Sequence, residues 1–211
     1  MPLIELASVR LHPSLSSSPP PSSFSELWTK CLKIAGSASG IPFHLYRSTS
    51  DAQLFYLLGG WQTADDHISF LSTSEAVDLA KAIGQSMTVD IVRHIDGDIA
   101  LLGVNRSRRI VVTTYKVPSA STNIDAWKEQ WNTKDGAGGW DESAAVQKQH
   151  KAFKQMGEVT NSASAFGGNG SSDVKTWIWI EDATKKVDSD SRLLENSTVE
   201  GESVEIEYFI G

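Results

Sequence analysis

The sequence predicts an α+β fold made of two βαββαβ halves, the second of them degenerate. Three observations carry this. Residues 53–95 read as strand, tryptophan, polar turn, two-part helix and strand. An alternating strand followed by a proline occurs twice, at LIELASVRL before Pro13 and at RIVVTTYKV before Pro118. Apolar strands and tryptophans then recur in corresponding places of the two halves.

Residues 3–11 alternate loosely enough for a first strand. Residues 14–23 (SLSSSPPPSS) are low in complexity, and three prolines remove backbone donors and fix φ, so an exposed loop is expected there. A helix follows from near Phe24, with Leu27, Trp28, Cys31, Leu32 and Ala35 on one face, and ends in GSASG at 36–40. Residues 43–47 make a second strand and residues 53–61 (QLFYLLGGW) a third, apolar on both faces. Thr63 can cap the next helix, with Asp65 and Asp66 in the first turn, where the helix dipole favours acids. Ser74 is expected to cap a second helical piece whose stripe is Ala76, Val77, Leu79, Ala80 and Ile83. Residues 88–95 alternate again, with Val89, Ile91, Arg93 and Ile95 on one face and Asp90, Val92 and His94 on the other. Residues 1–97 thus form a complete ferredoxin-like split unit.

Residues 98–211 repeat the pattern imperfectly. Strands are expected at 109–117, 174–181 and 204–210, and helical segments around Trp127 and Trp131 and over 142–156. Residues 162–173 (SASAFGGNGSSD) read as a weak strand running into a loop. The polar stretch 182–201 leaves the second helix of this half short or lost.

Composition narrows the function. A chain of 211 residues with 40% hydrophobic content can bury one or two cores. A net charge of −7 argues against nucleic acid, whose binding rests on basic patches that neutralise phosphate. No apolar run reaches the roughly 20 residues that span a bilayer, and Glu5 and Arg10 interrupt any apolar core of a signal peptide. A cytosolic setting without membrane partners is expected. The single cysteine, Cys31, excludes an internal disulfide. The five histidines (His12, His44, His67, His94 and His150) are scattered without metal-ligand spacing, so no metal is expected. Gly167–Gly170 lacks the lysine of a phosphate-binding loop.

His67 opens the helix after Trp61, facing either a pocket or solvent, and is the first candidate for acid, base or donor near neutral pH. His44 and Tyr46 share one face of the second strand. His94 on the fourth strand and Arg10 near the end of the first are weaker candidates for substrate contact. Trp28 and Trp61 read as core residues or, alternatively, as an aromatic wall around an apolar ligand. Asp65 and Asp66 point in different directions and serve the helix dipole rather than paired acid–base work.

The run Trp61-Gln-Thr-Ala-Asp-Asp-His-Ile-Ser-Phe70 resembles the Trp–x–Ser/Thr–x–x–x–His–x–x–Phe signature of antibiotic biosynthesis monooxygenase-like proteins. The tandem layout is similar to their fungal versions. The second half shares topology and tryptophans with them but not the acidic turn or the histidine. The resemblance implies a pseudo-dimeric α+β barrel, its two sheets packed face to face, with ligand pockets between each sheet and its helices. One pocket, within residues 1–97, is then expected to function. The chain would act as a monomeric pseudo-dimer or a homodimer.

The resemblance further implies a cofactor-free enzyme that acts on a bulky apolar natural-product intermediate. The many aromatics and few bases favour ring formation or rearrangement by a cyclase or isomerase, driven by orientation. His67 and His44 would then be donor or base, and Trp28, Tyr46, Trp61, Phe70, His94 and Arg10 would contact substrate. The alternatives are a cofactor-free monooxygenase acting on a phenol or enol, and a non-catalytic ligand-binding barrel.

Overall fold

The computed structural model describes residues 2–15, 22–96, 109–118, 137–140, 174–183 and 200–211. The elements are β1 (Leu3–Leu11), α1 (Ser22–Ser39), β2 (His44–Ser48), β3 (Leu54–Trp61), α2 (Ala64–Leu71), α3 (Ser74–Gly84), β4 (Met87–Asp96), β5 (Arg109–Pro118), β6 (Ala137–Trp140), β7 (Val174–Asp182) and β8 (Glu200–Ile210). All eight strands belong to one sheet, in the order β4-β1-β3-β2-β8-β5-β7-β6. Each set of four, taken in its own chain order, reads fourth, first, third, second. The sets join where β2 pairs antiparallel with β8, placing Tyr46 opposite Tyr208. The ends of the order, β4 and β6, approach within 8 Å between Cα atoms, so the sheet curls most of the way into a barrel. The chain is an α+β fold with an antiparallel sheet and few helices.

Alternation along the strands separates two apolar layers. Ile4, Leu6, Tyr46 and Leu58 meet Ile110, Val112, Ile178 and Ile206 from the other strand set inside the curl. On the outer face, Val9, Phe55 and Trp61 pack under Trp28, Leu32 and Leu79 of the helices. Residues contributed by both strand sets are fully buried in the first layer.

Local chemistry sets the helix ends. The Thr63 hydroxyl accepts from the Asp66 N–H and caps α2 as the sequence predicts. For α3 the cap is Thr73, whose hydroxyl accepts from the Ala76 N–H, and Ser74 is the first helical residue. The α2–α3 turn is tight enough that Thr73 already has the extended backbone a cap needs. Helix α1 runs to Ser39 and stops at Gly40, whose φ of +72° favours glycine.

Other boundaries differ from expectation. β2 begins at His44, where its pairing with β3 starts opposite Leu58, and the Phe43 ring lies over Gly59. β8 begins at Glu200, earlier than its apolar run, because backbone pairing with β5 extends through polar Glu202 and Ser203. A strand over Ala137–Trp140, paired with β7, escapes sequence reading because glycines carry no alternation signal. The strand expected within 162–173 and the helices expected around Trp127, Trp131 and 142–156 lie outside the described residues. Among the described residues, no helix is long and apolar enough to cross a membrane.

Val89 also changes sides. The β1–β4 register shifts between Ser8 and Val9, so that Ser8 faces Ile91 and Val9 faces Val89. The extra residue is Asp90, a bulge that turns Val89 onto the outer face with Val92. Asp90 then meets Arg10 at 3.5 Å.

Gly59 is fixed by packing. A Cβ there would fall 2.2–2.5 Å from Phe43 ring atoms, a rigid obstacle. Gly59→Ala is expected to cost about 1–3 kcal/mol in urea denaturation through overpacking, and Phe43→Leu in the same chain should recover part of the loss. Equal stability of Gly59→Ala and wild type would show that the Phe43 ring is free to move.

Candidate functional site

The row of β1 side chains facing the helices is Leu3, Glu5, Ala7, Val9 and Leu11, four apolar residues and one acid. Glu5 is only 7% exposed. Pairing supplies its neighbours. On β4, His94 stands directly opposite Glu5, and on β3 Gly59 does, with Trp61 the diagonal neighbour two residues on. The Trp61 indole N–H donates to Glu5 Oε2 at 2.5 Å. His67, one turn into α2, lies flat on Trp61, with ring centroids 4.4 Å apart and planes within 8°. This stacking brings His67 Nε2 to 3.4 Å from Glu5 Oε2, and His94 Nε2 lies 3.6 Å from the same atom. Both histidines are buried.

Burial by itself would raise the Glu5 carboxyl, but the His67 charge, His94 and the Trp61 N–H outweigh it and pull it down to about 2. Burial pushes His67 down to about 4, opposed by the Glu5 charge and reinforced by His94. Near neutral pH the cluster therefore consists of an ionised carboxylate beside a neutral His67.

Glu5 and His67 open onto a cavity of about 160 Å³ between the sheet and the helices. Trp28, Leu57, Trp61 and Phe70 supply much of its apolar wall, and every lining residue falls between Glu5 and Val92. Trp28 is buried, and its N–H has no hydrogen-bond partner among the described residues. Cys31 also lines the cavity, its thiol pushed up to about 12 by burial and so inert as a nucleophile.

The structure brings Trp28, Trp61, His67 and Phe70 together around this cavity and sets His94 behind Glu5. It does not bring the other candidates there. Tyr46 lies on the opposite face of the sheet, within the curl. Arg10 is held at the strand ends by Asp51 at 2.6 Å and Asp90. His44 borders a separate open groove beside Gly211, its ring 5.9 Å from that of Tyr208. Glu5 was missed. Its signal was present as the lone acid in an apolar row of a strand, a position that a solvated side chain would not take. The scattered histidines were also misleading, since pairing and stacking place His67 and His94 on one carboxylate.

The fold and this helix-covered cavity define an α+β barrel-type protein with a polar cluster at the cavity floor. Solved structures of that architecture match nearly the whole chain. A monooxygenase candidate from Lactobacillus acidophilus NCFM aligns with a TM-score of 0.56 at 9% identity, covering 98% of this chain and 93% of the other. A second, from Fusobacterium nucleatum, gives 0.56 at 8% identity, covering 98% and 92%. A mutant chlorite dismutase from Candidatus Nitrospira defluvii gives 0.50 at 11% identity, covering 99% and 90%. These likenesses show the fold. No protein-family model and no curated protein sequence matches the chain.

The His67 shift has a measurable consequence. Unfolded, His67 titrates near 6.5; folded, it titrates near 4, so between those values the unfolded chain binds more protons. The stability it contributes is complete above about pH 6.5 and is lost as pH falls through 4, with Glu5 adding a further loss between 4.5 and about 2. Urea denaturation at about pH 7, 5.5 and 4.5 should show a loss on the order of 2 kcal/mol across that range, and a shallower loss in His67→Gln. An unchanged slope in His67→Gln would assign the acid sensitivity elsewhere.

Proposed function

We propose that the protein is an oxygenase that acts on a compact phenol or enol held in the cavity between β1, β3 and the helices. The observation that carries this is the ionised Glu5 carboxylate, flanked by His67 and His94, at the floor of an otherwise apolar pocket. The carboxylate can accept a hydrogen bond from a substrate O–H, and neutral His67 beside it is the group left to take the proton as oxidation proceeds. The electron-rich species that dioxygen attacks thus forms within the cluster. Phenol to quinone balances with one dioxygen: one oxygen atom becomes the new carbonyl, and the other leaves as water with the two hydrogens the substrate gives up. The pocket suits a single ring, since an engineered cavity of about 150 Å³ takes up benzene. This substrate is smaller than the bulky intermediate the sequence resemblance implies. The monooxygenase candidates that share the fold support an enzymatic reading.

The same proposal takes residues 1–97 and 98–211 as two halves of one pseudo-dimeric barrel, with the working pocket in the first. The common strand order of the two sets supports it. A second reading, ring closure or rearrangement of an apolar substrate, draws on the largely apolar walls, which could hold a reactive conformer. It needs no oxygen.

Oxygen consumption with a panel of single-ring phenols and enols separates these readings. Turnover that requires dioxygen and falls at least about 100-fold in Glu5→Gln and His67→Ala upholds the oxygenase. Turnover that persists under argon sustains the rearrangement instead. Ligand binding without turnover in either atmosphere would leave a carrier.

A further inference from the structure

We propose that Glu5, His67 and His94 together bind one divalent transition-metal ion at the cavity floor. Three observations lead there. First, one carboxylate oxygen and two imidazole nitrogens, one atom from each residue, all lie within 4.8 Å of one another, and all three residues are buried. Secondly, the Glu5 Oε2 to Nε2 separations of 3.4 and 3.6 Å match the ligand-to-ligand edge of roughly 3.4 Å around an ion held tetrahedrally at about 2.0–2.2 Å. Thirdly, the donors come from three stiff elements. Glu5 and His94 are cross-strand partners on β1 and β4, and His67 is fixed on α2 by stacking against Trp61.

The donor set narrows the ion. Two imidazoles and a carboxylate suit zinc, cobalt or iron(II), whereas magnesium and calcium prefer all-oxygen cages. Three protein ligands leave coordination positions open, and Glu5 and His67 are the two ligands that face the cavity. The Trp61 N–H on Glu5 Oε2 would orient the carboxylate from behind, the kind of outer contact that ligating carboxylates receive. The inference uses the cluster of the proposed oxygenase site but not its reaction. A bound ion would ionise a phenol or enol by coordination rather than by proton transfer to a side chain.

The test is a cobalt(II) titration of the full-length, chelator-stripped protein, followed by its visible d–d absorption and by calorimetry. The expected result is one ion per chain, with affinity at least about 10-fold weaker in His67→Ala and in His94→Ala and unchanged in His12→Ala. No saturable cobalt absorption in folded wild-type protein would overturn the proposal. So would wild-type affinity in both histidine variants. If His94→Ala does not fold, paramagnetically shifted histidine N–H signals in the cobalt-loaded wild type decide: two uphold the site, one or none overturns it. Ion binding without oxygen consumption would sink the oxygenase reading alone, and oxygen consumption without ion binding would sink this one alone.

Discussion

The Glu5 carboxylate is the constraint on which the helix-covered layer depends. A charge in an apolar layer costs several kcal/mol even after relaxation, and it survives only where donors and opposite charges surround it. Here the surroundings come from neighbouring strands and one helix: the Trp61 N–H from β3, His94 from β4 and His67 from α2. Each partner is in turn fixed by something else. Trp61 is held between the His67 face and the Phe43 edge, and Phe43 fits only because position 59 has no side chain. The polar cluster and the packing around it are one arrangement.

The cavity follows from the same geometry. Helices α1, α2 and α3 roof the outer face of β1, β3 and β4, and Trp28, Trp61 and Phe70 line the cavity between them. The middle of the face carries Ala7, Leu57 and Val92, which do not reach the helices as a large ring would. The Asp90 bulge contributes by turning Val89 onto this face, while Asp90 itself moves outward to Arg10. An ionised group thus stands at one end of the layer, with an apolar hollow beside it.

Much of the fold was legible in the sequence. Helix faces and the four strands of the first half follow from local periodicity, and Thr63 caps α2 as its position predicts, whereas at α3 the cap is Thr73 and not the expected Ser74. The misses are local signals that tertiary pairing overrode. Val89 looked like a partner of Ile91 until an extra residue shifted the register. The strand at Ala137–Trp140 has too little side-chain pattern to announce itself. Of the site, His67, Trp28, Trp61 and Phe70 stood out by residue type and by the spacing after the tryptophan. His44 and Tyr46 stood out as well, Arg10 less so, and the structure sends all three elsewhere.

By itself the sequence determined the α+β class, the order of the first six elements and which face of each helix is apolar. These depend on periods of two and 3.6 residues, which are written into neighbouring positions. Only the tertiary structure decided that Glu5, His67 and His94 share one spot, because strand register and a ring stack bring together residues that no local period connects. It likewise decided that the two sets of strands bury a common interior. That outcome depends on β2 meeting β8 across most of the chain's length.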